Sequence, residues 1–192
     1  MSDGDGGRVV RPWRRTGSRT VHRDRWIHLR ADALVAGTGA VLDPWYMLDW
    51  PDWVHVLALT PARELVLVRQ WRPGAEAAVL ELPGGVMDPG ETDPVAAGRR
   101  EFLEETGYDA AGFRTFLSLS PEPAHSTNRI HFLLAEGATR VAAQRLDEGE
   151  VVAVELHPAA AAVAGLGSGL MLNATHVGAV LLGLREAGCI AF

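Results

Sequence analysis

The chain has 192 residues, of which 47% are hydrophobic and 22% are charged, a balance typical of one globular domain with room for a small appendage. Its net charge of −6 gives no general reason to expect nucleic acid as a partner. The single cysteine, Cys189, excludes an internal disulfide, and no apolar run reaches the ~18 residues of a membrane span, so we expect a cytoplasmic protein with no membrane partner.

The N-terminal part divides into a tail and a group of strands. Residues 1–18 are rich in Gly, Arg, Ser and Asp, a composition typical of a flexible tail. Residues 19–48 contain strand-like runs with a turn at Gly37–Gly39. We therefore expect a short N-terminal β appendage before a main domain at 49–192.

The main domain begins with short strands. Val54–Leu59 and Leu65–Arg69 are rich in Val and Leu, and Pro61–Glu64 between them is typical of a hairpin connection. A third run, Val79–Leu82, ends at Pro83 and the two glycines that follow it.

The clearest helix signals frame Pro94–Thr106. Asp93 is a favourable N-cap, Pro94 suits the first turn, and Gly107 suits the position after the last turn. Gly98 inside the helix costs about 1 kcal/mol relative to alanine, unless it permits close approach to a neighbouring sheet.

The remaining elements complete the fold prediction. Three further strands are predicted at Phe113–Leu119, Arg129–Ala135 and Val151–Leu156, and two helices at Pro158–Ala164 and Asn173–Ala187. The order of strands, helix, strands and helices predicts an α+β fold, a mixed central β-sheet flanked by helices as an α/β/α sandwich.

Three carboxylates stand out within the first helix. Glu101, Glu104 and Glu105 occupy positions i, i+3 and i+4, so they share one helix face, where like charges repel. Because Mg²⁺ prefers oxygen ligands, this face predicts a site for a divalent metal.

The surrounding residues resemble a known motif. Gly85, Glu91, Arg100, Glu101, Phe102, Glu104, Glu105, Gly107 and Tyr108 are similar in type and order to the Nudix box. The interval from Glu91 to Arg100 is one residue longer than in the usual box. Counting from Asp93 as the cap restores the usual distance to Arg100, so the extra residue, Thr92, falls in the loop and spares the helix register.

This resemblance implies a Nudix fold and a set of roles. Glu101 and Glu105 are the first expected ligands of Mg²⁺, with Mn²⁺ as the other possible ion, and Glu104 is a third ligand or contacts the ion through water. The backbone carbonyl of Gly84 often joins such sites in the family. Glu101, Glu105 and Arg100 are also the expected catalytic residues. Arg100 would pair with a box carboxylate and orient it, and Glu91 would support the same arrangement.

A second acidic segment lies between the predicted strands Arg129–Ala135 and Val151–Leu156. Residues Asp147–Glu150 form a cluster where related enzymes place a catalytic glutamate and a further metal ligand. Glu148 as general base and Glu150 as metal ligand is one interpretation. A solvated turn is the other, because acidic residues beside a glycine favour turns.

The substrate-binding candidates are Trp71, Arg72 and His125. The stretch from Val66 to Pro73, followed by Glu81–Gly85, resembles the ADP-ribose and nucleotide-sugar branch of Nudix enzymes. Arg72 would grip a phosphate, Trp71 would stack on a base, and His125 would contact substrate from a loop. Arg72 and Trp71 also have plain structural explanations, as a surface arginine that stacks on Trp71 and as a packed interface aromatic residue.

The resemblance implies hydrolysis of the diphosphate bond in ADP-ribose or a nucleotide sugar, giving a nucleoside monophosphate and a sugar phosphate. Two alternatives remain open: a hydrolase of a dinucleoside polyphosphate or damaged nucleoside triphosphate, and a nucleotide-sensing module without catalysis. Members of this branch often pair through their N-terminal strands, so a homodimer formed through residues 19–48 is expected.

Overall fold

The computed structural model describes residues 9–191, which fall into two compact units. The first contains the described residues up to Trp50 together with Glu122–Asn128, and the second contains Pro51–Pro121 and the chain from Arg129 onward. The return of residues 122–128 to the N-terminal unit could not be inferred from the sequence pattern.

The first unit is an antiparallel sheet of three strands in the order β1-β2-β3. These strands are β1 (Arg14–Arg23), β2 (His28–Val35) and β3 (Val41–Leu48). The predicted appendage is therefore present, but the prediction of a tail through residue 18 is wrong for residues 14–18, which pair with β2. Residues 1–8 of that predicted tail lie outside the described residues.

The second unit is built on a mixed sheet of seven strands. Its central path runs β12-β5-β4-β10-β9, with β6 beside β5 and β7 beside β4, and the β4–β10 pair is parallel. The strands are β4 (Trp53–Leu59), β5 (Glu64–Arg72), β6 (Ala77–Glu81), β7 (Gly84–Val86), β9 (Phe113–Leu119), β10 (Ile130–Glu136) and β12 (Val152–Pro158). A separate two-stranded ladder joins β8 (Tyr108–Asp109) to β11 (Thr139–Arg140).

Helices cover both faces of this sheet, as the predicted sandwich requires. They are α1 (Pro94–Thr106), α2 (Ala159–Leu166) and α3 (Ala174–Glu186). Because side chains of a strand alternate between faces, β4 contributes to two cores. Val56 packs with Phe102 of α1 in one core, and Leu57 packs with Val180 of α3 in the other.

Helix α1 has the predicted bounds and the predicted caps. The Oδ1 of Asp93 accepts a hydrogen bond from the backbone N–H of Val95 at 2.9 Å. Gly107 adopts a left-handed conformation, with φ of 72°, and its N–H donates to the carbonyl of Leu103. Asp93 is therefore the N-cap, as predicted from the spacing between Glu91 and Arg100. The two later helices were predicted within two residues at each end.

Gly98 explains how closely α1 lies to the sheet. A Cβ at this position would stand 2.2 Å from Cδ1 of Leu133, a fully buried residue of β10. The missing side chain thus allows the close approach that the sequence offered as an alternative. Within residues 9–191, no helix combines the length and apolar character that a bilayer crossing demands.

Candidate active site

Glu105 is the most deeply buried of the box carboxylates, with 6% of the residue exposed. Its Oε2 accepts a hydrogen bond of 2.7 Å from the backbone N–H of Gly84, which lies in β7. Burial raises the pKa of Glu105 to about 8, and the like charges of Glu101 and Glu150 add to the rise, while the Gly84 N–H opposes it. An anionic Glu105 therefore requires nearby positive charge.

Glu101 lies beside Glu105 on the same helix face and is also shielded. Burial raises its pKa, and Arg100 opposes the rise. Gly85 makes room for this carboxylate, because a Cβ at residue 85 would lie 2.6 Å from Oε2 of Glu101. Gly85 therefore leaves the space that the Glu101 carboxylate occupies.

Arg100 joins the carboxylates of the box, as expected from its place in the motif. Its Nη1 lies 2.8 Å from Glu101 and 3.2 Å from Glu104, and its Nε and Nη2 contact the two oxygens of Glu91 at 3.2 and 3.0 Å. The hydrogen bond with Glu91 is the main cause that raises the pKa of Arg100. The inserted Thr92 has therefore not separated Glu91 from the box.

The arrangement fits a divalent cation by its chemistry, although the carboxylates already have partners. In the part of the chain that the structure describes, 9–191, no three His, Cys, Asp or Glu side chains are placed to hold a metal ion together. Arg100 spans Glu101 and Glu104, and Glu105 points to the Gly84 N–H. The carboxylates nevertheless outnumber their cationic partner Arg100, and such hard oxygen donors match what Mg²⁺ or Mn²⁺ takes.

The acidic turn after the box places Glu150 and Glu148 differently. Oε2 of Glu150 accepts a hydrogen bond of 3.0 Å from the N–H of Asp147, closing the turn. Its charge raises the pKa of both Glu101 and Glu105, so it contributes to the electrostatics of the box. Glu148 is exposed on the same turn.

Arg72 and Trp71 stand at the end of β5. Nε of Arg72 donates to Oε2 of Glu81 at 2.7 Å, and the Glu81 side chain is nearly buried. Arg72 also lowers the pKa of Glu105, so its charge acts on the box. Trp71 is 62% exposed, which is compatible both with stacking on a base and with packing in an interface.

His125 belongs to the first unit. Its ring stacks on Trp45 with centroids 5.0 Å apart, and its Nδ1 lies 2.8 Å from the carbonyl oxygen of Tyr46. These contacts give His125 a structural role on its loop, in addition to the substrate contact that remains a prediction.

Two buried histidines, His55 and His176, were not among the candidates predicted from the sequence. His176 of α3 accepts a hydrogen bond from the N–H of Leu82 at Nδ1, and its ring centroid lies 4.3 Å from that of His55. Burial lowers the pKa of His55 to about 4 and that of His176 well below its usual value. The sequence signal for each was a histidine within a mostly apolar segment, His55 in Val54–Leu59 and His176 in Asn173–Ala187.

Comparison with known families accounts for both parts of the chain. The family model described as NUDIX domain matches residues 49–171. The model described as nucleoside diphosphate sugar hydrolase N-terminal domain matches residues 13–48.

Individual relatives match over shorter lengths. A methanol dehydrogenase activator from Bacillus methanolicus is 35% identical over 103 residues, covering 53% of this chain and 55% of the relative. An ADP-ribose pyrophosphatase from Bacillus subtilis (strain 168) is 34% identical over 105 residues, covering 54% and 56%. The chain thus spans about half the length of these curated relatives.

A solved structure described as an ADP compounds hydrolase has the same fold, with a TM-score of 0.81 over 95% of this chain and 100% of that chain, at 22% identity. The NUDIX match spans more than half of the chain and contains the whole carboxylate cluster built around Arg100. The chain therefore belongs to the NUDIX domain family.

Proposed function

We propose that the chain hydrolyses the diphosphate bond of a nucleoside diphosphate joined to another group, with ADP-ribose or a nucleotide sugar as the substrate. Water adds to one phosphorus, the bridging phosphorus–oxygen bond breaks, and a nucleoside monophosphate and a sugar phosphate result. The observation that carries the proposal is the buried Glu105, held by Gly84 beside Glu101 and within the field of Glu150.

A divalent cation fits this proposal, since the family generally requires one. Mg²⁺ is the first choice and Mn²⁺ the second, and the residues that would hold it are Glu101, Glu104, Glu105, Glu150 and the carbonyl of Gly84. Such an ion, when bound, would neutralise the diphosphate and make water more acidic. Its positive charge would also lower the pKa of Glu105, which burial raises to about 8.

The chain's own residues would orient the reactants. Arg100 fixes Glu101 and Glu104 on one side and Glu91 on the other, so the carboxylates enter the reaction already placed. Glu148, exposed on its turn, is proposed as the base that accepts the proton of the attacking water.

We propose that the end of β5 recognises the substrate. Arg72 supplies positive charge for a phosphate and is held in place by Glu81. Trp71 offers an exposed ring for stacking on a base. His125 is proposed as a further substrate contact. A homodimer formed through β1–β3 and a cytoplasmic location remain predictions that rest on the sequence.

A panel of substrates tests the proposal directly. Purified full-length protein with Mg²⁺ would be offered ADP-ribose, several nucleotide sugars, a dinucleoside polyphosphate and an oxidised nucleoside triphosphate. Phosphatase coupling detects new monophosphates from the bridged substrates, and chromatography resolves the triphosphate. Reaction in ¹⁸O-labelled water shows which phosphorus is attacked, because the label enters only that product.

The expected result is hydrolysis of ADP-ribose or a nucleotide sugar that Glu105→Gln reduces by about 10²-fold or more. Glu186→Gln is the matched control, because Glu186 forms an exposed ion pair with Arg114 far from the box in sequence. Preference for the polyphosphate or triphosphate would support the alternative hydrolase. Thermal stabilisation by nucleotides without cleavage of any substrate would overturn catalysis and favour a sensing module.

A further inference from the structure

The segment that follows β11 is attached to the C-terminal end of α1. The N–H groups of Val141 and Ala142 donate to the carbonyl of Gly107 at 2.8 and 3.0 Å, and the N–H of Arg145 donates to the carbonyl of Glu104 at 2.8 Å. The last carbonyls of a helix lack partners within the helix. Here the incoming segment supplies them, so the end of the box helix and residues 141–145 form one hydrogen-bonded structure.

Gln144 extends this attachment by its side chain. Its Nε2 donates to the carbonyl of Glu105 at 2.5 Å and to the carbonyl of Val152 at 3.0 Å. Both partners are acceptors, so only the NH₂ end of the amide can face them, and both of its hydrogens are used. One side chain therefore joins the residue that carries the buried carboxylate to the first residue of β12.

The turn with Glu150, residues 147–150, lies in the chain between Gln144 and Val152. Residues 147–150 are exposed, and Val151 is 84% exposed, so side-chain packing gives the turn little support. Within the turn, the N–H of Glu150 donates to the carbonyl of Asp147 and its carboxylate accepts from the N–H of Asp147. These bonds lie within the turn, so the position of the turn relative to α1 depends on the residues at its two ends.

We propose that Gln144 is a positioning residue of the site, whose amide ties Glu105 to Val152 and thereby fixes the turn that carries Glu150, a residue proposed above as a metal ligand. The inference rests on the proposed hydrolase for its catalytic consequence, but the tether itself is a property of the fold.

The test compares full-length Gln144→Met with wild type. Methionine has nearly the same length and no donor, so the substitution removes both hydrogen bonds without adding charge. Val141→Ala is the matched control, because it shortens a 60% exposed side chain of the same segment and leaves the backbone bonds in place. Melting temperatures report whether each variant is folded.

Two measurements test whether the hydrogen bonds of Gln144 to Glu105 and Val152 fix the turn. Hydrogen exchange of the amides of Asp147 and Glu150, without metal, is expected to rise about tenfold or more in Gln144→Met and to stay within about twofold in Val141→Ala. In turnover, kcat is expected to fall about tenfold with KM within about twofold, because a displaced turn disturbs alignment more than binding.

A double-mutant cycle with Glu150→Gln separates positioning from general damage. If Gln144 acts through Glu150, its substitution costs less than about twofold in kcat once Glu150 is already changed. Unchanged exchange in folded Gln144→Met, or losses that multiply in full, would overturn the proposal. A wild type that cleaves no substrate would contradict the proposed function, and the exchange measurement would still decide the tether.

Discussion

The backbone N–H of Gly84 points at Oε2 of the buried carboxyl of Glu105, 2.7 Å away. Gly84 has a φ of 148°, and a Cβ there would lie 2.0 Å from the carbonyl oxygen of Val54. No other residue type fits this position without moving the strand. The donor for Glu105 is therefore supplied by backbone that the neighbouring strand β4 fixes in place.

The first prediction concerns stability and pH. Because the folded protein raises the pKa of Glu105 from 4.5 to about 8, the unfolded chain loses this proton first as the pH rises. Glu105 therefore leaves the free energy of unfolding unchanged below about pH 4.5 and lowers it by roughly a few kcal/mol by about pH 8. Urea unfolding in EDTA at pH 5, 6.5 and 8 measures it, and Glu105→Gln should flatten the dependence. An equally steep loss in that variant would assign the effect to other groups.

The second prediction distinguishes two adjacent arginines. Arg100→Ala leaves Glu91, Glu101 and Glu104 without their shared cation and should cost about 1–3 kcal/mol in the free energy of unfolding. Arg99→Ala removes an exposed ion pair with Asp109 and should cost about 0.5 kcal/mol or less.

Denaturant midpoints of these two variants give the comparison. Mg²⁺ should recover part of the loss in Arg100→Ala, because binding to the folded state alone stabilises it. Equal losses for the two arginines would mean that Arg100 is no more than a surface residue.

The third prediction uses two glycines in helices. Gly98→Ala gains about 1 kcal/mol in helix propensity but forces a methyl group against Leu133, an overpacking that costs about 1–3 kcal/mol. We expect a net loss of stability. Gly178→Ala, in α3 with nothing within 4 Å of the added methyl, should raise the melting temperature. Calorimetry checks both, and a stabilised Gly98→Ala would show that α1 can move away from β10.

The fourth prediction concerns the acidic turn. If Glu148 is the general base, Glu148→Gln lowers kcat by about 10²-fold or more at saturating Mg²⁺ with little change in KM. Asp147→Asn serves as the control, since it removes an exposed charge from the same turn and keeps the backbone N–H that Glu150 accepts. An unchanged rate for Glu148→Gln removes this residue from the mechanism.

Local signals predicted the box helix well. Asp93, Pro94 and Gly107 set its ends through caps that depend on neighbouring residues alone, and the structure has the same bounds. The hairpin at Pro61–Glu64 was also predicted correctly, because β4 ends at Leu59 and β5 begins at Glu64. Both features are encoded within a few residues of the places where they occur.

Features that depend on distant pairing could not be predicted in this way. Arg72 meets Glu81 through its side chain although the β5–β6 register places Val68 opposite Glu81 and Arg72 opposite Ala77, so neither sequence spacing nor strand pairing indicates the contact. Residues 14–18 were assigned to a tail because they are polar. They form a strand because their backbone pairs with β2, and a strand that is exposed throughout needs no apolar side chains. Gln144 gave no sequence signal, since its partners are two backbone carbonyls.

The cap at Asp93 has a practical consequence. Because Glu91 is tied back to Arg100 while Asp93 starts the helix, the peptide between them can change length without rotating the carboxylates. Thr92 already occupies this gap and is exposed. A small fluorescent or spin-label reporter attached at Thr92 would therefore lie next to Glu91 and would leave Glu101, Glu104 and Glu105 unchanged.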